Sequence, residues 1–292
     1  MKKLIAILAL AACLAPAAFA RDIDPVVSAA WLEANLANPN LVIMDVRAVD
    51  AYKAGHIPGA VNVIGASLYV KKGDILNEVP EMDDLSDTLS SAGVKADSWI
   101  VVVEADGSRL AWSTRVTWTL KYAGLENVAF LDGGYAVWTK AAKPVSKDVA
   151  TKSGSYTAKA NPAVFADKAR VLASTGAQIV DARTYDAYFG LTRQAFVAQA
   201  GHFPGAYSLP YTWILNADGS VKTKDDLASY AAKLGLDPAL QTIVYCDSGV
   251  LATAWWYAFS EILGWKNVSS FDGSSQVLTA DPSVKYVPLV WR

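Results

Sequence analysis

Leu41-Val-Ile-Met-Asp45-Val-Arg47, followed by Gly55-His56-Ile-Pro58-Gly59-Ala60, returns in the second half of the chain as Gln178-Ile-Val-Asp181-Ala-Arg183, followed by Gly201-His202-Phe-Pro204-Gly205-Ala206. A sequence that repeats its motifs in order is built from repeated structural units. The repeat extends outward. Two apolar runs, Trp99 to Val103 and Thr242 to Tyr245, lead into Glu104-Ala-Asp-Gly107 and Cys246-Asp-Ser-Gly249. Aromatic-rich helical stretches follow at about 108–123 and 250–263, then Gly124-Leu-Glu-Asn-Val128 and Gly264-Trp-Lys-Asn-Val268. Each half closes on an Asp-Gly pair, Asp132-Gly133-Gly134 and Asp272-Gly273-Ser274. The halves differ mainly between the Arg and the Gly-His turn, where the second carries an insertion of about ten residues.

The strand runs are rich in Val and Ile with few alternating polar positions, the pattern of parallel strands buried on both faces. Helical segments alternate with them. The expectation is an α/β protein of two domains, each a parallel sheet with helices on both faces. Residues 21–145 form the first domain and 161–292 the second. The linker is 146–160, rich in Lys, Ser, Thr and Gly and without an apolar period.

The first twenty residues read as a signal peptide: Lys2 and Lys3, an apolar run from Leu4 to Leu14, and Ala18-Phe19-Ala20 before Arg21. Cleavage after Ala20 would deliver a periplasmic protein. The alternative is a lipoprotein anchored at Cys13 in Leu10-Ala11-Ala12-Cys13. No other stretch is long and apolar enough to span a bilayer. The net charge of −2 argues against a nucleic-acid partner.

Of the two cysteines, only Cys246 would survive processing. A lone thiol in an oxidising compartment is exposed to over-oxidation and to mispairing, so its retention points to reactivity. Cys246 ends a buried strand, Gly249 permits a tight reversal, and a helix starts near Val250, which sets the sulfur at the carboxyl end of a parallel strand where open α/β sheets bind ligands. Amides of Asp247, Ser248, Gly249, Val250 and Leu251 would converge there as an anion cradle that lowers the thiol pKa. The alternative is a buried structural cysteine. Both histidines lie in Gly-His-x-Pro-Gly-Ala turns, where ring hydrogen bonds to loop backbone are the expected role, and without a Cys–His cluster no metal site is expected.

In these motifs, in Asp132-Gly133-Gly134-Tyr135-Ala-Val-Trp138 and in the loop Cys246-Asp-Ser-Gly249-Val250-Leu251-Ala252, the chain resembles the tandem-domain rhodanese-like sulfurtransferases over nearly its whole mature length. The resemblance implies a catalytic second domain and a non-catalytic first, with Glu104 where Cys would stand. It implies a Cys246 persulfide formed from a small sulfur-containing donor and discharged to cyanide, a small thiol or a protein thiol, with no cofactor. Thiosulfate-using members tend to carry basic residues in this loop, whereas here it has none and Asp247 adds a negative charge. The loop looks more like the mercaptopyruvate type, departing from it at Asp247 and Leu251. The family's substrate-carboxylate arginines lie between Asp-Ala-Arg and Gly-His. Arg193 matches one, Tyr188-Phe189 sits near the other, and Arg183 is the weaker substrate candidate, better suited to pairing a loop carboxylate. Ser275 replaces the family's usual Trp, which would open the pocket rim. Trp255 and Trp256 are expected in the core or the domain interface. Cysteine phosphatases and arsenate reductases need an arginine six residues after the cysteine, where this chain has Ala252. A sulfane-sulfur carrier or partner-binding protein with little turnover is the alternative function.

Overall fold

The structure, a computed structural model, describes residues 21–290, so the signal-peptide and Cys13 readings lie outside the described residues. The first half contributes β1 (Val26–Val27), β2 (Leu41–Asp45), β3 (Val61–Asn62), a hairpin of β4 (Val70–Lys72) and β5 (Ile75–Glu78), β6 (Trp99–Val103) and β7 (Val128–Leu131). The second contributes β8 (Phe165–Ala166), β9 (Gln178–Asp181), β10 (Tyr207–Ser208), β11 (Thr242–Tyr245) and β12 (Val268–Phe271). Outside the antiparallel β4–β5 hairpin, the strands form two five-stranded sheets of the same topology, β1-β7-β6-β2-β3 and β10-β9-β11-β12-β8. Every pairing within both is parallel. The central strand of each sheet is the one that leads into Glu104 or Cys246.

Strand side chains alternate between two apolar layers, which is why the strands lack polar positions. In the first sheet Leu41, Ile43, Val101 and Val103 face an outer core. In the second, Ile179, Ile243, Tyr245 and Phe271 do the same. The opposite faces, with Val42, Ile100, Val180 and Val244, share one continuous core that crosses the domain boundary. Its centre is the helix Leu110–Tyr122, buried from Ser113 to Lys121. A helix without a wet face has to be covered on all sides, and here the second domain supplies the cover. The helix Ala252–Tyr257 packs against it, with Thr114 Oγ1 and Thr253 Oγ1 3.1 Å apart. Trp255 and Trp256 are fully buried there, their indole N–H groups donating to Pro210 O and Val268 O. Where one helix was expected over 250–263, the chain instead passes at Ala258–Ile262 into a π-helical turn.

The repeated motifs are fold devices. Arg47 holds both oxygens of Asp45 and donates to Gly55 O at 2.8 Å. Arg183 does the same with Asp181 and Gly201 O, also at 2.8 Å. Each arginine thus ties a strand end to the following turn. His56 stacks on Tyr52 and donates from Nδ1 to its carbonyl, and His202 treats Tyr188 identically. The hydroxyls of Tyr52 and Tyr188 donate to Ala60 O and Ala206 O. Tyr188 is therefore the counterpart of Tyr52, and the insertion begins after it.

Residues 146–160 form no helix or strand of their own. They are nonetheless fastened, through backbone bonds between Ser146 and His56 and between Lys159 and Ala123. Among the described residues no helix is long and apolar enough to cross a membrane.

Candidate active site

The carboxyl end of β11 delivers Cys246 into a tight turn. Gly249 has φ +79°, and a Cβ there would lie 2.4 Å from Asp272 O, so both conformation and space demand glycine. The amides of Ser248 and Ala252 donate to the Cys246 sulfur. The cradle thus reaches one residue further than the 247–251 expected from sequence, into the helix N-terminus. It also omits Gly249, whose N–H donates to Ser274 Oγ at 3.1 Å.

Ser274 is the residue that sequence reasoning missed. Its φ is +49°, a left-handed conformation that costs a serine energy. At the equivalent position the first half has Gly134, φ +64°. The hydroxyl explains the exchange. It accepts from both the Cys246 and Gly249 amides at 3.1 Å, donates to Phe271 O at 2.7 Å, and lies 3.8 Å from Cys246 Sγ. The signal was present as a departure from Gly in an otherwise aligned repeat. Ser274→Ala should leave two buried amides without an acceptor and lower stability by about 1–3 kcal/mol, read from the denaturant midpoint.

Cys246 is 0% exposed. Burial, and next the Asp247 carboxylate, push its thiol above the ordinary value, while the Ala252 and Ser248 amides and the Ser274 hydroxyl pull it down. The net shift is upward, opposite to the sequence expectation, because a sealed sulfur loses more from desolvation than the cradle returns.

Beside the loop lies a cavity of about 230 Å³ lined by Arg183, Arg193, Gln194, Tyr211, Asp247 and Leu251 among others. The insertion supplies one wall and the cysteine loop the other. Arg183, 1% exposed, keeps Nη1 without a hydrogen bond. That nitrogen faces Asp247 Oδ1 at 3.6 Å, an ion pair too long to be a hydrogen bond. Burial raises the Asp247 pKa and Arg183 opposes it. Arg193 is exposed and donates to Val197 O at 2.5 Å. The two arginines proposed from sequence therefore share one cavity. Ser275 opens no rim: it is buried, with its hydroxyl 3.0 Å from Tyr286 Oη.

The first domain reaches over the turn. The Asn77 amide donates to Ser248 Oγ at 2.9 Å, Gln276 and the Leu76 backbone exchange two hydrogen bonds, and Val79 N–H donates to Asp272 Oδ2. The relation is reciprocal: Val221 N–H of the second domain donates to Asp132 Oδ1 of the first. In that first-domain turn Glu104 replaces the thiol. Its carboxylate accepts from the Ala105 amide and lies 3.6 Å from Arg109.

The family model for the rhodanese-like domain matches residues 28–141 and again 166–281. The chain belongs to the rhodanese family. A Mycolicibacterium smegmatis relative of this chain, named "Putative thiosulfate sulfurtransferase", is 33% identical over 261 residues, which cover 86% of this chain and 93% of the relative. A protein of the same name from Haloferax volcanii is 30% identical over 268 residues, covering 86% and 92%. SseA of Escherichia coli, solved as a 3-mercaptopyruvate sulfotransferase, is 28% identical with a TM-score of 0.74, and the match covers 86% of this chain and 99% of SseA. The anaerobic ergothioneine biosynthesis enzyme of Chlorobium limicola is 25% identical with a TM-score of 0.80, the match covering 91% and 71%. The protein is a sulfurtransferase enzyme.

Proposed function

We propose that Cys246 carries sulfane sulfur as a persulfide, loaded from a small carboxylate-bearing thiol donor of the 3-mercaptopyruvate type. The observation that carries the donor reading is the cavity in which Arg183 and Arg193 stand opposite the Asp247 side of the cysteine loop. A guanidinium with an uncommitted N–H in a buried wall suits a carboxylate. A thiosulfate dianion in the same space would meet the Asp247 carboxylate. The Cys246 thiolate attacks the donor thiol sulfur and the C–S bond breaks. The thiol proton passes to the carbon left behind, so 3-mercaptopyruvate becomes pyruvate and the enzyme becomes Cys–S–S⁻. An acceptor thiolate then takes the outer sulfur and returns the Cys246 thiolate. The Ser248 and Ala252 amides stabilise the negative sulfur at both stages, an electrostatic contribution that needs no acid or base.

Mass spectrometry after incubation with 3-mercaptopyruvate, thiosulfate and persulfides in turn tests this reading. A gain of one sulfur on the Cys246 peptide with 3-mercaptopyruvate supports it, and loading by thiosulfate alone sinks the donor assignment. Asp247→Gly should raise the ratio of kcat/KM for thiosulfate to that for 3-mercaptopyruvate by about tenfold, the order expected for removing one close like charge. The departures of the loop at Asp247 and Leu251 favour a second reading, a sulfur carrier or partner-binding protein with little turnover. Steady-state turnover against one-to-one loading separates the two. Export to the periplasm with cleavage after Ala20 is part of the proposal. An N-terminal mass beginning at Arg21 supports it, and a lipidated Cys13 overturns it.

A further inference from the structure

Arg115 of the first domain is 0% exposed, and its guanidinium is only half used. Nη1 donates to Asp272 Oδ1 and, at 3.3 Å, to Gly249 O. Nε and Nη2 have no hydrogen-bond partner. The plane lies 4.7 Å from the Trp118 ring centre. Stability alone is a poor reason for such a group, because a buried ion pair can often be replaced by well-packed apolar side chains without loss.

Its contacts say what else it does. Gly249 and Asp272 are the two sides of the sulfur-bearing turn, and Arg115 bonds both through one nitrogen. Gly249 N–H and Cys246 N–H meet on Ser274 Oγ. Ser248, whose amide donates to Sγ, is the residue before Gly249. The other Asp272 oxygen accepts from Val79 N–H of the first domain. Glu78, pushed up to about 7 chiefly by burial and then by Asp272, faces the same cluster, with Lys72 beyond it.

The internal repeat provides the control. Asp132 is the first-half equivalent of Asp272 and accepts from Val221 N–H as Asp272 does from Val79. Yet among the described residues Asp132 has no cationic partner, whereas Asp272 has Arg115. The arginine strap is present across the turn that holds Cys246 and absent across the turn that holds Glu104.

We propose that Arg115 is a positioning residue for the reaction at Cys246, a contribution of the non-catalytic domain that fixes the Ser248–Gly249 turn so that the Ser248 amide stays aimed at the sulfur. The proposal rests on the reading of Cys246 as the sulfur carrier. The test uses the full chain carrying Arg115→Met together with Asp272→Asn, which removes both charges and leaves none stranded. Expected are a wild-type circular dichroism spectrum and a kcat lower by about 10- to 100-fold, the scale of a small misplacement at a reacting centre. KM should stay within about twofold, since Arg115 does not line the donor cavity. The pH profile of Cys246 alkylation by iodoacetamide should move to higher pH. Arg115→Lys keeps the charge but lacks the fork, and should lie between the two. It carries the same readouts if the double variant does not fold. A folded variant with wild-type kcat and an unmoved alkylation profile overturns the proposal. Alkylation needs no sulfur donor, so its outcome stands apart from that of the sulfur-transfer reading.

Discussion

Cys246→Ala is expected to reduce sulfur transfer to background with every donor, with thermal stability little changed. The loss should be total because no second thiol is available among the described residues, where Cys246 is the free cysteine. The first domain cannot substitute, since a carboxylate at Glu104 has no sulfur-accepting chemistry. Stability should change little because Cys246 is a small residue at a strand end and Ser274 still receives the backbone N–H of residue 246. In the wild-type enzyme the first transfer should speed up as pH rises, still climbing at mildly alkaline pH. Only the thiolate attacks, and burial with Asp247 holds the thiol protonated beyond its ordinary range. Thiocyanate release assayed across pH, and sulfur loading followed by mass, would check both statements. Undiminished activity in Cys246→Ala would sink the mechanism.

Arg183→Met should destabilise the protein by about 3–5 kcal/mol, the cost of leaving one member of a buried pair uncompensated. Asp181 is 0% exposed. It would retain only the Tyr245 hydroxyl at 2.7 Å and the backbone N–H of residue 183 at 3.0 Å. The turn after Gly201 would lose its tie to the strand end as well. The repeat again supplies an internal comparison. Arg47→Met breaks the same arrangement around Asp45 and should cost a similar amount in chemical denaturation. The two variants should part in kinetics: under conditions where both remain folded, Arg183→Met raises KM for a carboxylate donor and Arg47→Met does not. Equal KM values would remove Arg183 from the donor site and leave it a fold residue like its twin.

The two-sheet architecture was legible because buried parallel strands announce themselves locally, and because every motif occurs twice in the same order. The tight turn at Gly249 after Cys246, and the placing of Arg183 and Arg193 beside it, were legible from turn geometry and from position relative to the Gly-His turn. What escaped was non-local. Nothing around Asn77, Val79 or Arg115 hints that they touch a turn more than a hundred residues away. Ser274 drew no reading from the sequence, because its role rests on a dihedral and two amide partners that only the fold brings together. The direction of the Cys246 shift was misjudged because a sequence displays the amides that stabilise a thiolate but not the dry packing that opposes them. Ser275 was misread because the loss of a large side chain suggests an opening, whereas Tyr286 closes over it.

The reciprocal contacts of Val79 with Asp272 and of Val221 with Asp132 have a consequence for how the enzyme is made. Val79 waits for an acceptor 193 positions later, and Asp132 waits for a donor 89 positions later. As the polypeptide emerges from amino to carboxyl end, the first domain can collapse early, but its own turn stays open until residue 221 arrives. The turn around Cys246 is finished only once Asp272 has been made and meets Val79. Contacts of such long sequence separation form late in folding. The turn around Cys246 is thus completed after the first domain has formed, and a product truncated before Asp272 carries Cys246 without the cross-domain ties that hold its turn.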